Sequence, residues 1–370
     1  MRSPPPRDPA PAGRPRVSGV AAALPPAMGQ QELWTGFFAG HYGGSRLAEQ
    51  VWRRSGVDTR HGVVDPRSED LRHWSTGERM RRFVAEALPL GKEAVAGSLA
   101  AAGYEAADVG QLTVASCTGY ATPGLDILLA RDLGMPVDVQ RLHIGHMGCY
   151  AAIPALATLS DTVSVRGTVG VLLCLELTSL HIQPPTADRD QMVAHALFSD
   201  AAAAVTVAPA SAPGGSGAGG FEVVDVVART DAAAAGLMSW DVTDLGFRMG
   251  LSPQVPRVLR RHVGEVVDGL LARHGLAREE VAAWAIHPGG PTIVDAVAER
   301  LGLDEAAVAD SHAVLREHGN ASSPTVLLVL ERIVRRRLGA GRYVVAMAFG
   351  PGLTLYTLLL RLCGGDEVGA

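Results

Sequence analysis

The feature that most constrains the fold is an alternation of short apolar runs with alanine- and leucine-rich stretches. Runs such as "QLTVAS" (111–116), "TVGVLLCLEL" (168–177) and "AAAAVTVA" (201–208) carry almost no charge, as expected for strands that are covered on both faces. The stretches 82–102 and 124–133 between them have the length and composition of helices. This order predicts an α/β protein built in layers around a covered sheet.

A low-complexity stretch at 208–220, "APASAPGGSGAGG", interrupts the alternation and is interpreted as a loop. Beyond it the pattern predicts a strand at 221–228, helices at about 255–274, 291–302 and 322–338, the strand "AAWAIH" at 282–287, and a final pair of strands. The 370 residues suffice for two domains, or for one domain built as two similar halves. The predicted divisions are a disordered Pro/Arg-rich tail at 1–16, a first half at 17–207, the loop, a second half at 221–361 and a tail at 362–370.

Charge and cysteine spacing limit the classes of function. The net charge of -5 leaves no basic surface for nucleic acid or for an anionic membrane, so we expect neither as a partner. The uncharged run 343–360 is long enough for a transmembrane helix, but its central "GPG" favours two buried strands joined by a tight turn. The four cysteines form no CxxC pair, which argues against a disulfide framework or a zinc ribbon and favours the cytoplasm.

Two segments in the two halves resemble one another. "GCYAAIPAL" follows a turn in the first half, and "GNASSPTVLLVL" (319–330) follows one in the second. Each has a glycine, a polar residue, small residues and a proline before an apolar helix, and proline is tolerated in a first helical turn. If the halves are related, Cys149 and Asn320 occupy matching helix starts, and two positive helix ends point into one site.

A thiol at a helix N-terminus is a candidate nucleophile. The unpaired N–H groups favour the thiolate form of Cys149, and a neighbouring imidazolium would lower its pKa further. His287, at the end of a strand before "PGGPT", and Asn320 are the candidate partners. A buried structural cysteine is the alternative, and Cys174 and Cys363 keep that interpretation. A Cys-His-Asn order also suits papain-like hydrolases, but the cysteine lacks their sequence context.

Seven fragments, taken together and in this order, resemble the type III polyketide synthases, the chalcone-synthase-like family. They are "SCTGYATPGLD" (116–126), "RLHIGHMGCYAAIPAL" (141–156), "HALFSDAAAAVTV" (195–207), "DLGFRMGLSPQVP" (244–256), "IHPGGPTIVDAVAERLGL" (286–303), "LREHGNASSPTVLLVLERI" (315–333) and "AFGPGLTLYTLLL" (348–360). The resemblance implies a thiolase fold, in which two related βαβαβ-type halves form a layered αβαβα core, and a homodimer.

The resemblance also implies the chemistry. Cys149 is expected to take the starter acyl group from its CoA thioester, and His287 and Asn320 are expected to complete the catalytic set. Such a site decarboxylates malonyl-CoA and condenses the resulting enolate with the bound acyl group, without a metal or an organic cofactor. His143, His146 and Cys149 form an H-x2-H-x2-C pattern, but the synthase interpretation makes a metal site there unnecessary.

Substrate contacts follow from the same resemblance. Phe198 and Phe247 match two gatekeepers between a CoA tunnel and an inner cavity. The other positions that match cavity residues are Cys117, Thr118, Thr122, Gly289, Ser322 and Pro351. Thr122 matches a side chain that reaches the neighbouring subunit's cavity. Arg53, Arg54 and Arg60 lie in the region that binds CoA phosphates, although a solvated helix face explains the Arg pair equally well.

The sequence does not determine the product. Cys117 favours tetrahydroxynaphthalene, since bacterial synthases of that product share the "SCTG" cysteine, with alkylresorcinol or alkylpyrone formation as close alternatives. A β-ketoacyl carrier-protein synthase of the same fold also combines Cys, His and Asn. A third possibility is an inactive thiolase-fold scaffold that binds acyl-CoA, and the intact triad argues against it.

Overall fold

The structure is a computed structural model that describes residues 13–210 and 220–363. Most of the predicted N-terminal tail, the centre of the predicted loop and the last seven residues lie outside the described residues. The first strand begins at Arg16, at the end of the predicted tail, and the last strand continues to Cys363, two residues beyond the predicted second half.

The strands and helices have the following bounds. The strands are β1 (Arg16–Ala23), β2 (Ala27–Gly29), β3 (Thr59–His61), β4 (Val109–Ala115), β5 (Gln140–Ile144), β6 (Val169–Leu177), β7 (Asp200–Ala208), β8 (Gly220–Thr230), β9 (Met238–Thr243), β10 (Gly246–Leu251), β11 (Val281–Ile286), β12 (Tyr343–Gly350) and β13 (Thr354–Cys363). The α-helices are α1 (Gln30–Leu33), α2 (Ala39–His41), α3 (Arg46–Arg53), α4 (Thr76–Ala102), α5 (Leu125–Leu133), α6 (Ala152–Arg166), α7 (Arg189–Leu197), α8 (Val255–Ala272), α9 (Pro291–Leu301), α10 (Glu305–His318) and α11 (Pro324–Arg335).

The main sheet consists of two half-sheets joined at a narrow seam. Its strand order is β11-β12-β13-β8-β1-β7-β6-β4-β5. The first half contributes β1, β7, β6, β4 and β5, and the second contributes β11, β12, β13 and β8. Only two residue pairs join them, Arg16 with Glu222 and Val17 with Phe221. Each half therefore keeps its own sheet, as expected for a chain built from two similar halves.

Five layers result from the packing of helices on these half-sheets. Helices α6 and α11 lie between the two half-sheets, against residues such as Leu172 of β6 and Val344 of β12. Helices α4 and α5 cover the outer face of the first half-sheet, and α8 and α9 cover the outer face of the second. Every residue of β6 is buried, because alternate side chains face the central and the outer layer. The predicted αβαβα thiolase fold is confirmed.

Several elements were not recognised in the sequence. Among them are the strands β1, β2, β3 and β5, the β9–β10 hairpin, and the helices α1, α2, α7 and α10. The uncharged run 343–360 forms β12 and part of β13 with a turn between them, as predicted. In the described part of the chain, no helix combines the length and apolarity that crossing a bilayer requires.

Candidate active site

Cys149 lies in a single 3-10 turn, Gly148–Tyr150, that leads directly into α6. Gly148 has φ of +69°, which glycine adopts without strain, and a Cβ on it would come within 3.1 Å of Pro351. The backbone thus turns tightly against the 350–354 turn and delivers the thiol to a buried position at the start of the central helix.

His287 follows the last residue of β11. Its backbone N–H donates to the carbonyl of Met347 at 2.8 Å, which continues the pairing with β12. The ring is buried, and neither ring nitrogen has a hydrogen-bond partner among the described residues. Gly289 packs so closely that a Cβ there would contact the ring at 3.6 Å. The imidazole is therefore held by packing, and neither of its buried nitrogens is hydrogen-bonded to another described residue.

Both polar atoms of the Asn320 side chain are hydrogen-bonded to the backbone of neighbouring segments. Its Nδ2 donates to the carbonyl of Gly289 at 3.3 Å, and its Oδ1 accepts from the N–H of Ser322 at 2.8 Å. Its backbone forms a bridge with the segment that follows α7: Asn320 N–H donates to Leu197 O at 2.9 Å, and Ser199 N–H donates to Asn320 O at 3.0 Å. One Nδ2 hydrogen is left for a ligand, because the amide has two and Gly289 takes one.

Two cavities meet at the thiol. The outer cavity has a volume of about 520 Å³, and Cys149, His287 and Asn320 all line it. The inner chamber has a volume of about 130 Å³. Four residues line both spaces, and they are Cys149, Phe198, Met238 and Met249. The structure thus brings the three predicted catalytic residues to one cavity and places Cys149 at its junction with a second.

The wall of the inner chamber includes several polar side chains. Of the predicted cavity residues it includes Cys117, Thr118, Ser322 and Pro351, whereas Gly289 lines the outer cavity. Behind this wall lies the buried carboxylate of Glu176, which sequence reasoning missed. It accepts from the Cys117 N–H at 3.0 Å and from the Thr118 and Ser323 hydroxyls at 2.8 Å. The available signal was one acidic residue in an otherwise apolar strand.

Burial determines the charge state of the reacting pair. It raises the pKa of the Cys149 thiol to about 11, against the smaller opposing effect of a hydrogen bond with Ser322. It also lowers the pKa of His287 to about 3. Burial therefore favours the uncharged form of each group, whereas the sequence predicts a thiolate beside an imidazolium.

Phe247 does not lie where the gatekeeper prediction placed it. Its ring stacks on His181, with centroids 4.5 Å apart and planes at 9°, and it lines neither cavity. His181 bridges the Phe247 N–H and the Thr118 carbonyl, at 3.0 and 2.7 Å. These two hydrogen bonds hold Phe247 outside the lining of both cavities. At the boundary between the cavities, the residues beside Phe198 are instead Met238 and Met249 of the β9–β10 hairpin.

The three arginines predicted to bind CoA separate in the structure. Arg54 lines the outer cavity together with Arg189, which the sequence analysis did not select. Arg53 is largely exposed, pairs with Glu49 at 2.7 Å and lines neither cavity. Arg60 is buried and hydrogen-bonded inside the protein, so its predicted contact with CoA is wrong.

Thr122 also lies away from both cavities. It is exposed on the loop that precedes α5, two residues from the exposed Tyr120. Its predicted contact with a neighbouring subunit therefore stays a prediction.

Two family models cover most of the chain. The models described as the N-terminal and the C-terminal domain of chalcone and stilbene synthases match residues 66–211 and 224–363. The chain belongs to the chalcone and stilbene synthase family. It is a type III polyketide synthase, an acyltransferase that carries out decarboxylative condensation, and the carrier-protein synthase and scaffold alternatives are set aside.

Relatives within the family include bacterial synthases of different products. A 1,3,6,8-tetrahydroxynaphthalene synthase from Streptomyces peucetius subsp. caesius is 36% identical over 93% of this chain and 92% of its own length. A 3,5-dihydroxyphenylacetyl-CoA synthase from Streptomyces toyocaensis is 32% identical over 94% and 90%. An alpha-pyrone synthesis polyketide synthase-like protein, Pks18, from Mycobacterium tuberculosis is 31% identical over 85% and 81%.

Solved structures agree with this assignment. The crystal structure of PKS-I from the brown alga Ectocarpus siliculosus superposes with a TM-score of 0.87 at 28% identity, over 94% of this chain and 98% of the other. The type III polyketide synthase domain of Steely1 from Dictyostelium superposes with a TM-score of 0.86 at 24% identity, over 94% and 99%, and supports the fold.

Proposed function

We propose that Cys149 carries the growing polyketide, and that His287 and Asn320 activate malonyl-CoA in the same cavity. The observation that supports this assignment best is the position of the thiol. Cys149 lies where the outer cavity, with His287 and Asn320 in its wall, meets the inner chamber. A group bound to its sulfur can face the condensing residues and also extend into the chamber.

Loading begins from an uncharged pair. The neutral His287 imidazole accepts the Cys149 proton as the sulfur attacks the thioester carbonyl of the starter, and the tetrahedral intermediate expels the CoA thiolate. The imidazolium then returns the proton to CoA. A neutral base suits this step, because a buried ion pair at rest would carry the desolvation cost of two charges.

Extension uses the same donors for a second purpose. When malonyl-CoA loses CO2, the electron pair of the breaking bond moves to the thioester oxygen and forms an enolate. The free Nδ2 hydrogen of Asn320 and a ring N–H of His287 donate to this oxygen. The enolate carbon then attacks the acyl group on Cys149 and expels the thiolate. The product is a CoA thioester longer by two carbons, which can load again.

The inner chamber shapes the product. Its walls place the Cys117 thiol and the Thr118, Thr178 and Ser322 hydroxyls around a small space. Among the products named for the family, tetrahydroxynaphthalene fits a chain with Cys117 and a relative that makes it, and alkylresorcinols and alkylpyrones are the alternatives. CoA thioesters are the proposed substrates, with Arg54 and Arg189 of the outer cavity near their phosphates. No metal or organic cofactor takes part.

A homodimer in the cytoplasm is the proposed working form. Strand β5 is the outermost strand of the first half-sheet and has a partner, β4, on one side. Leu142 on this strand is 38% exposed, and the neighbouring Ile127 and Tyr120 are 41% and 69% exposed. A second copy paired at this edge would cover these side chains and satisfy the free backbone groups.

A product profile tests the proposal. Purified protein is given malonyl-CoA alone, and then with short, long-chain and aromatic acyl-CoA starters, and the products are identified by mass spectrometry. We expect polyketides from the wild type, also after treatment with a chelator, and none from Cys149→Ala. Folded wild-type protein that releases no CoA and builds no chain with any starter would refute the proposal.

A further inference from the structure

Arg60 is a buried cation whose hydrogen bonds all go to uncharged groups. Its Nε and Nη2 donate to Gln30 Oε1 at 2.9 and 2.5 Å. Its Nη1 and Nη2 donate to the backbone carbonyls of residues 195, 196 and 198, at 2.6, 2.6 and 2.8 Å. The charge of the nearby Asp200 favours the protonated form, but no carboxylate is hydrogen-bonded to the guanidinium, and burial of a cation without a directly paired anion is costly. Stabilisation of the core alone therefore does not account for a cation at this position.

The three carbonyls belong to the end of α7 and to the residue that follows it. The last carbonyls of a helix lack intrahelical partners, and a cation there complements the helix dipole. Phe198 is the residue that follows α7, and it lines both the outer cavity and the inner chamber. Arg60 therefore fixes the backbone from which this side chain projects.

The same short segment holds the proposed catalytic amide. Leu197 O and Ser199 N–H, on either side of Phe198, form the two backbone hydrogen bonds to Asn320. The hydroxyl of Ser199 in turn accepts from the N–H of His61, next to Arg60 in β3. A displacement of the 195–199 segment would thus move Phe198 and Asn320 together.

On its other side, Arg60 connects to the wall of the outer cavity. Gln30, which accepts from Arg60, donates its Nε2 to Ser55 Oγ at 3.1 Å, and Ser55 lines that cavity. The guanidinium carbon also lies 4.9 Å from the centre of the Trp52 ring, within the range of a cation–π contact. Trp52 is on α3, and this helix contributes Leu47, Gln50 and Val51 to the wall of the outer cavity.

We propose that Arg60 is a positioning residue for extension, which sets Phe198 and Asn320 relative to the α3 wall that receives the substrate. The inference rests on the proposed role of Asn320. A guanidinium suits this task because it presents five N–H donors in a rigid plane, whereas an ammonium donates from a single point. Loading of the starter depends on Cys149, which lies on a different segment, and does not use the Asn320 amide, so it is expected to depend on Arg60 much less than extension does.

Arg60→Lys tests the inference by comparing two steps in one protein. Starter loading is measured as the rate of Cys149 acylation by mass spectrometry, and extension as CO2 release from malonyl-CoA. We expect loading within about twofold of wild type and a loss of about tenfold in extension, as expected for a small misplacement of reacting groups. Products that leave the enzyme early should increase, because Phe198 shifts as well.

The control is Arg79→Lys. Arg79 is also buried, and its guanidinium donates to the carbonyls of Leu71, Trp74 and Leu180 rather than to α7. We expect this variant to lower the melting temperature and to leave the ratio of extension to loading unchanged. Gln30→Met, which removes the side-chain acceptor alone, gives a milder version of the same test and should reduce the ratio by about threefold.

The outcomes separate the two proposals. An inactive wild type would refute the proposed function. An active wild type in which Arg60→Lys and Gln30→Met lower both steps equally, or lower neither, would assign Arg60 to stability alone and overturn the inference. If Arg60→Lys does not fold, an unchanged ratio in Gln30→Met overturns it as well.

Discussion

The outer cavity and the inner chamber share a thiol but use their polar groups differently. In the outer cavity, both nitrogens of His287 and one amide hydrogen of Asn320 have no hydrogen-bond partner among the residues that the structure describes. In the chamber, Thr118 and the backbone of Cys117 are bonded to Glu176, and the Cys117 carbonyl accepts from Trp240 Nε1 at 2.8 Å. A donor without a protein partner can bind the oxygen of a reacting group, whereas groups that are already hydrogen-bonded fix the shape of the chamber wall.

We expect this difference to separate two properties of the enzyme, the rate of the reaction and the identity of the product. Changes in the outer cavity should alter the rate of the chemistry, and changes in the chamber should alter which product leaves.

His287→Ala should have the largest effect. Removal of a donor to the enolate oxygen is expected to slow malonyl-CoA decarboxylation by about 10²–10³-fold. Cys117→Ser, a variant of the chamber wall, should leave the decarboxylation rate within about twofold and change the product profile instead. CO2 release and product mass spectra measure both. A comparable loss of decarboxylation in Cys117→Ser would remove the distinction between the two cavities.

The pH dependence of thiol alkylation should give the next largest effect. Because the thiolate reacts and the pKa of Cys149 is about 11, its labelling by iodoacetamide should rise about tenfold per pH unit between pH 7 and 10. Burial and the neighbouring Glu176 also raise the pKa of Cys117, so its labelling should rise with pH as well. Peptide-resolved mass spectrometry measures both rates. A rate for Cys149 that is independent of pH above 6 would instead indicate an ion pair with His287.

Met238→Ala should have the smallest effect on rate. The shorter side chain widens the boundary between the two spaces, so longer products are expected while malonyl-CoA consumption stays within about threefold of wild type. Met192→Ala is the control, because Met192 is equally buried but lines neither cavity. An unchanged product length in Met238→Ala, or the same change in Met192→Ala, would contradict a role for Met238 in separating them.

The sequence was most informative where local pattern determines structure. The apolar runs became β4, β6 and β7 because a strand covered on both faces needs apolar side chains throughout. The helices that follow Cys149 and Asn320 were readable from small residues and proline. The convergence of Cys149, His287 and Asn320 in one cavity followed from the family resemblance, since no local rule relates residues so far apart.

The sequence was least informative where the position of a side chain depends on contacts with residues far away in the chain. Phe247 stacks on His181, which lies 66 residues earlier in the chain, and its position therefore depends on a tertiary contact. Arg60 has the composition of a surface cation but meets four oxygen acceptors inside the protein. Glu176 is hidden in an apolar strand for the same reason. These contacts can be identified only when the three-dimensional packing is known.

The backbone bridge between residues 197–199 and Asn320 has a consequence for the diversification of products. Its two hydrogen bonds involve main-chain atoms, so they do not depend on which side chain occupies position 198. Substitution there can enlarge or narrow the passage while the amide keeps its place. An insertion or deletion in the same segment would break the register of the bridge. New specificities are therefore accessible through single-residue exchange at this position, and a segment transplanted from another synthase must preserve its length.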